Sequence, residues 1–175
     1  MSVAYSQQGS VAVLTIDNPP VNALSQAVRQ GMIDGIERAI ADPAIAAVVI
    51  IGKGKTFIAG ADIREFGKPP QPPRLSAAIA ALEASPKPVV AAIDGVALGG
   101  GLEVALGCHF RVATPRAQVG LPEVKIGIVP GAGGVERLPR AAGLAAALKM
   151  IVSGDPARAP QAAKLGIIDA VVEGN

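Results

Sequence analysis

Between Ser10 and Thr15 the chain reads SVAVLT, a short aliphatic and β-branched run stopped by DNPP, which predicts a strand near the N-terminus. From Ser25 to Asp42, apolar residues recur at Val28, Met32, Ile36 and Ile40 behind Ser25 as a cap, and the spacing predicts an amphipathic helix. IAAVVIIG, at 45–52, is a continuous apolar run ended by glycine and predicts a strand covered on both faces. KPPQPP, at 68–73, excludes regular structure, because proline lacks the amide donor and restricts its predecessor; it predicts a loop with room to move. LSAAIAALEA (75–84) then predicts a helix, PVVAAIDG (88–95) a second buried strand, and GVALGGGLEVALGC (95–108) a turn into another helix. GLAAALKMIVSG and PQAAKLG predict further helices and IIDAVV a closing strand. This alternation, without repeats or long linkers, predicts one α/β domain over residues 1–175.

Composition narrows the function classes. Half of the 175 residues are apolar, enough for a substantial core. Lys plus Arg number 16 against 14 Asp plus Glu, and aromatics amount to 2%, which leaves neither the basic field nor the stacking platforms of a nucleic-acid binder. The single cysteine, Cys108, excludes an internal disulfide and a multi-cysteine zinc site, so no metal is expected and a reduced compartment is. The start, MSVAYSQQGSVAVL, shows no secretion signal, and runs such as AAVVIIG are too short to cross a bilayer; a soluble protein is expected.

Candidate chemistry gathers in three stretches. Gly99, Gly100 and Gly101 stand before an apolar run that carries a carboxylate, Glu103, where an unpaired charge would cost several kcal/mol, roughly. Glycines entering a helix leave amides free for negative charge or for a developing oxyanion, although they also serve close packing. A second carboxylate, Glu123, lies in VGLPEVKIGIVPGAGG, just before the glycine-rich turn 131–134. Two carboxylates in apolar settings suit acid/base chemistry on a neutral substrate, since burial raises their pKa; alternatively each is a core carboxylate paired with Lys125, Arg111 or Arg137. In FIAGADIREF the small-residue turn Ala59-Gly60-Ala61 could offer an amide to a ligand, and Asp62 reads as an ordinary cap of the helix expected after it. Cys108 and His109 read as structural, since no second histidine and no GxSxG turn accompany them.

Taken together, AGADIREF, PVVAAIDGVALGGGLEVALGCHFRVA and GLPEVKIGIVPGAGGVERLPR, with NPPVNALS at 18–25 on the N-terminal side, resemble the enoyl-CoA hydratase/isomerase (crotonase) family. The phrasing GGGLE, ALGCH and GLPEV is similar in particular to the hydratase part of multifunctional fatty-acid β-oxidation enzymes of bacteria and peroxisomes, and the likeness runs from about Val11 to Val172. The resemblance implies a spiral of ββα units and an oxyanion hole made by the amides of Ala61 and Gly100. It implies Glu103 and Glu123 as the catalytic pair, 123 − 103 = 20 residues apart, with Ala59, Gly60, Asp62, Arg64, Gly99 and Gly131 around the substrate and Arg64 near the CoA phosphates. The implied activity is hydration of trans-2-enoyl-CoA to 3-hydroxyacyl-CoA, with 3-enoyl to 2-enoyl isomerisation as a second activity. No cofactor is implied beyond the coenzyme A of the substrate.

Members of that family usually continue past the equivalent of Asn175 into helices that cover the acyl pocket and build the trimer. The C-terminal helical part is therefore expected to be missing, whether the chain is a fragment or a short paralogue. A mean hydropathy of +0.44 with an uncovered apolar face favours self-association, and a longer parent chain would carry an attached dehydrogenase domain. The implied setting is the bacterial cytoplasm or, alternatively, the peroxisome. A non-catalytic, acyl-CoA-binding module is the rival expectation.

Overall fold

The computed structural model describes residues 2–173. Its first strand, β1 (Val3–Gln8), is an edge strand whose polar SQQ end hides it from any hydrophobic pattern; it pairs antiparallel with β2 (Val11–Ile16), the strand expected from SVAVLT. Helix α1 (Gln26–Ala41) begins as expected, with the Ser25 side chain accepting the Val28 amide. It buries Val28, Met32 and Ile36 but leaves Ile40 at 36% exposure. The reason is geometric: steps of four residues overshoot a 3.6-residue turn by about 40° each, so Ile40 has drifted off the face that Val28 begins. Ala39 takes its place in the core.

β3 (Ala47–Gly52) alternates rather than being covered on both faces. Val48 and Ile50 are fully buried, whereas Ala47, Val49 and Ile51 are half-buried. The proline-rich loop is irregular, as expected, but it is tied down. The buried Arg29 donates to the carbonyls of Gln71 and Pro73 and to Glu65, and the Gln26 side chain donates to Pro72.

Next come α2 (Leu75–Glu83), β4 (Val89–Ile93), β5 (Val96–Leu98), α3 (Gly100–Gly107), β6 (Phe110–Ala113) and β7 (Gln118–Gly120). The chain closes with α4 (Gly134–Ala142), α5 (Leu144–Ser153), β8 (Ala157–Arg158), α6 (Ala159–Lys164) and β9 (Ala170–Val171). A six-stranded sheet runs β1-β2-β3-β4-β6-β9, parallel from β2 onward; a smaller sheet runs β5-β7-β8, and Ile58 joins it through a parallel bridge to Ala97.

The order makes a spiral. Each turn places one strand in the large sheet, one strand or bridge in the small sheet, and then a helix: β3, Ile58 and α2; β4, β5 and α3; β6, β7 and α4. This is the expected α/β spiral of ββα units. Phe57, Leu14, Leu24, Met32, Ile50 and Leu102 are among its fully buried side chains and belong to one apolar cluster. Because Ile58, β5 and β7 are neighbours in the small sheet, the segments that leave them emerge side by side: the Ala59–Ala61 turn, the start of α3, and a 3-10 helix, Pro122–Ile126.

Candidate active site

Two backbone amides stand close together without an acceptor. Gly100 is the first residue of α3, so its N–H has no acceptor within the helix, and among the described residues neither it nor the Ala61 N–H donates to a backbone or side-chain oxygen. A Cβ built on Gly100 would lie 3.8 Å from the Ala61 nitrogen, which sets the two donors next to each other. The AGAD turn is fixed from the outside by Leu24, whose amide donates to Gly60 O at 2.9 Å, and by Ala59, whose amide donates to Val21 O at 3.2 Å. Gly101 cannot carry a side chain either, since its Cβ would meet the carbonyl oxygen of Ile58 at 2.2 Å. Close approach of α3 to the AGAD turn thus requires the glycines that the sequence supplies.

Glu103, in the first turn of α3, is 2% exposed. It is not paired with a base. Its Oε1 accepts the amides of Ala132 (2.7 Å) and Gly134 (2.8 Å), from the second glycine-rich turn, while Oε2 has no donor among the described residues. Arg111 is held by Asp169, Lys125 by Asp155 and Arg137 by Glu83, so the core ion-pair alternative does not apply to this carboxylate.

Glu123 stands on the 3-10 helix, 9% exposed, with Oε2 buried and without a hydrogen-bond partner. Desolvation, with the nearby negative charge of Glu103 adding to it, raises its carboxyl above the ordinary range. A carboxyl in that condition holds a proton more readily than a surface glutamate does.

Glu103, Glu123, Ala61 and Gly100 line one cavity of about 510 Å³, together with Ala59, Gly60, Gly99 and Gly131. Its wall is otherwise mostly apolar, with Phe66, Leu75, Ile126 and Val129 among the lining residues. Asp62 and Arg64 are not brought there. Asp62 is a cap, as expected from the sequence: Oδ1 accepts the Arg64 amide at 3.0 Å, and the carboxylate grips the Arg64 guanidinium, whose hydrogen bond lowers its pKa. The element it caps is a single 3-10 turn, Ile63–Glu65, instead of a full helix. Both residues line an adjoining cavity of about 540 Å³ with Lys68 and Arg74. Sequence reasoning missed the Ala132 and Gly134 amides as the seat of Glu103; the glycine-rich turn was the signal for them.

Cys108 and His109 lie outside the cavity. The thiol, pushed up to about 12 by burial, donates to Val104 O, and His109 Nδ1 accepts the Val89 amide. Both are structural. Among the described residues no group of three or more His, Cys, Asp or Glu side chains could hold a metal ion, and no helix is long and apolar enough to cross a membrane.

The chain is similar to known proteins in sequence and fold. The profile of the enoyl-CoA hydratase/isomerase family matches residues 6–174. The chain belongs to that family. It is 55% identical over 166 residues to the peroxisomal bifunctional enzyme of Danio rerio, a match covering 95% of this chain and 23% of that protein. A probable enoyl-CoA hydratase of Bacillus subtilis is 44% identical, over 90% of this chain and 64% of its own length. The chain thus spans about a quarter of the bifunctional relative and just under two thirds of the Bacillus subtilis one. Among solved structures, enoyl-CoA hydratase from Bacillus anthracis superposes with a TM-score of 0.93 at 31% identity, covering 99% of this chain and 70% of that one. The fold is therefore crotonase-like, as the resemblance implied.

Proposed function

We propose that the chain hydrates trans-2-enoyl-CoA to 3-hydroxyacyl-CoA as the hydratase part of fatty-acid β-oxidation. The observation that carries this reading is the convergence, in one apolar cavity, of two unengaged amides with two buried carboxyls in different states. Glu103 keeps one oxygen fixed and the other free; Glu123 has a raised pKa and an unpartnered oxygen.

The thioester carbonyl accepts hydrogen bonds from Ala61 and Gly100. Water, deprotonated by Glu103, attacks the β-carbon; the π electrons move to the thioester oxygen, and the amides stabilise the resulting enolate. Each such donor is worth about 3 kcal/mol of barrier. Glu123 then gives its proton to the α-carbon as the carbonyl re-forms, and solvent exchange returns both carboxyls to their starting states. The step draws on water and these side chains and takes no metal or redox cofactor. The CoA phosphates fit beside Arg64, Lys68 and Arg74, cations on the wall of the adjoining cavity.

Isomerisation of 3-enoyl-CoA is a second activity of the same site, in which Glu123, as carboxylate, takes a proton from the α-carbon and returns it to the γ-carbon as the double bond moves, with the dienolate oxygen held by the same two amides. The names of the relatives support a peroxisomal setting, or a bacterial one, and a longer multifunctional parent chain; an attached dehydrogenase domain is the partner we propose within it.

The test is incubation with trans-2-enoyl-CoA of short acyl length, the product identified by mass. Formation of 3-hydroxyacyl-CoA supports the reading. Tight binding of the thioester without product supports the rival, a non-catalytic acyl-CoA-binding module.

A further inference from the structure

Glu103 is held by a loop, not by a partner side chain. Both amides on its Oε1 come from residues 132–134, so the backbone there sets where the carboxylate points. Glycine occupies three of the four positions from 131 to 134, and a segment of that composition does not fix its own peptide planes. Something else has to.

The loop also meets Arg137, in the first turn of α4. Arg137 Nη1 donates to Ala132 O at 3.1 Å, and the guanidinium packs on the bare α-carbon of Gly133, where a Cβ would come within 1.9 Å of Nη1. The opposite edge is gripped by Glu83, the last residue of α2: Nη2 donates to Oε2 at 2.6 Å and Nε to Oε1 at 3.3 Å. The Arg137 side chain is 18% exposed. A planar fork can bridge a carboxylate and a carbonyl at once; an ammonium on a flexible stem cannot hold both in fixed orientation.

We infer that Arg137 is a positioning residue for Glu103, oriented by Glu83 and acting through the Ala132 peptide. The inference rests on the functional reading of Glu103 given above. By anchoring the Ala132 carbonyl to the end of α2, Arg137 turns the amides of Ala132 and Gly134 toward Oε1. The first turn of α2 lines the cavity that contains Glu103, so the same brace ties that wall to the proposed base.

The experiment compares R137A, E103Q, the double variant and E83Q in the full chain. The expected result for R137A is a kcat at least about tenfold lower with KM within about twofold, the pattern of a misaligned catalytic group. In the E103Q background R137A adds no further loss, because both act on one carboxylate, and E83Q gives a smaller loss of the same kind. A normal kcat in R137A beside an impaired E103Q overturns the inference, as do independent, additive losses in the double variant.

R137K serves where R137A does not fold. In it, hydrogen exchange at the Ala132 and Gly134 amides is expected to quicken, a readout that needs no turnover. Quickened exchange in a chain that never hydrates enoyl-CoA keeps the brace and overturns the functional reading. Unchanged exchange overturns the brace.

Discussion

The carboxylate of Glu123 rests on the bare α-carbon of Gly99, where a Cβ would sit 2.9 Å from Oε1. Gly99 also has φ +54°, in the left-handed region that side chains disfavour. Gly99→Ala is therefore expected to lose about 1–3 kcal/mol of stability from backbone strain and to displace Glu123 from the cavity. Urea unfolding together with turnover checks this. Turnover is expected to fall at least about tenfold even at temperatures where the variant is fully folded.

Burial of Glu123 has a cost in stability that depends on pH. Its pKa is raised in the folded chain above the unfolded value, so the folded state is favoured below the unfolded pKa and loses that advantage as pH rises through the folded one. Glu123→Gln carries no charge to desolvate. Its melting temperature is expected to equal that of the unaltered chain near pH ~4 and to exceed it near pH ~8. Thermal unfolding at the two pH values checks the sign.

Asp94 shows the opposite dependence. Held by the Arg116 guanidinium first, and by the Thr114 hydroxyl, its carboxyl is lowered to about 2 at the corner between β4 and β5. The stability it contributes is present above the unfolded value of about 4 and is lost as pH falls through the folded value. Asp94→Asn is expected to be less stable than the unaltered chain at neutral pH, with the difference closing toward about pH 2. The effect is small, because Arg116 is largely exposed and solvent screens the pair. Acid titration of unfolding in both proteins measures it.

Arg29 binds the proline-rich loop to α1 through three acceptors, Gln71 O, Pro73 O and Glu65. Arg29→Met leaves those acceptors without their donor and is expected to free the loop. Limited digestion with trypsin is then expected to cut after the exposed Arg74 well before the unaltered chain is cut there.

Much of the fold was legible because burial and periodicity agree. SVAVLT, LSAAIAALEA and GLAAALKMIVSG became β2, α2 and α5 within a residue or two. The failures have local causes. Ile40 kept the spacing but drifted off the buried face, β1 was too polar to see, and Asp62 capped one turn in place of a helix. At the site, glycine clusters and isolated carboxylates were legible as chemistry. The contacts that orient them were not: the amides on Glu103 come from 29 and 31 positions along the chain, a distance no local pattern reports. Arg137 was visible only as a candidate partner for a carboxylate, and that partner proved to be Glu83.

The central claim is that Glu103 and Glu123 divide the proton transfers of enoyl-CoA hydration between them. The direct measurement is kcat and KM for trans-2-enoyl-CoA in the unaltered chain, Glu103→Gln and Glu123→Gln. The account predicts that each substitution lowers kcat by at least about a hundredfold with KM changed only a few-fold. A variant that keeps the rate of the unaltered chain, or an unaltered chain that binds the thioester and never turns it over, contradicts it.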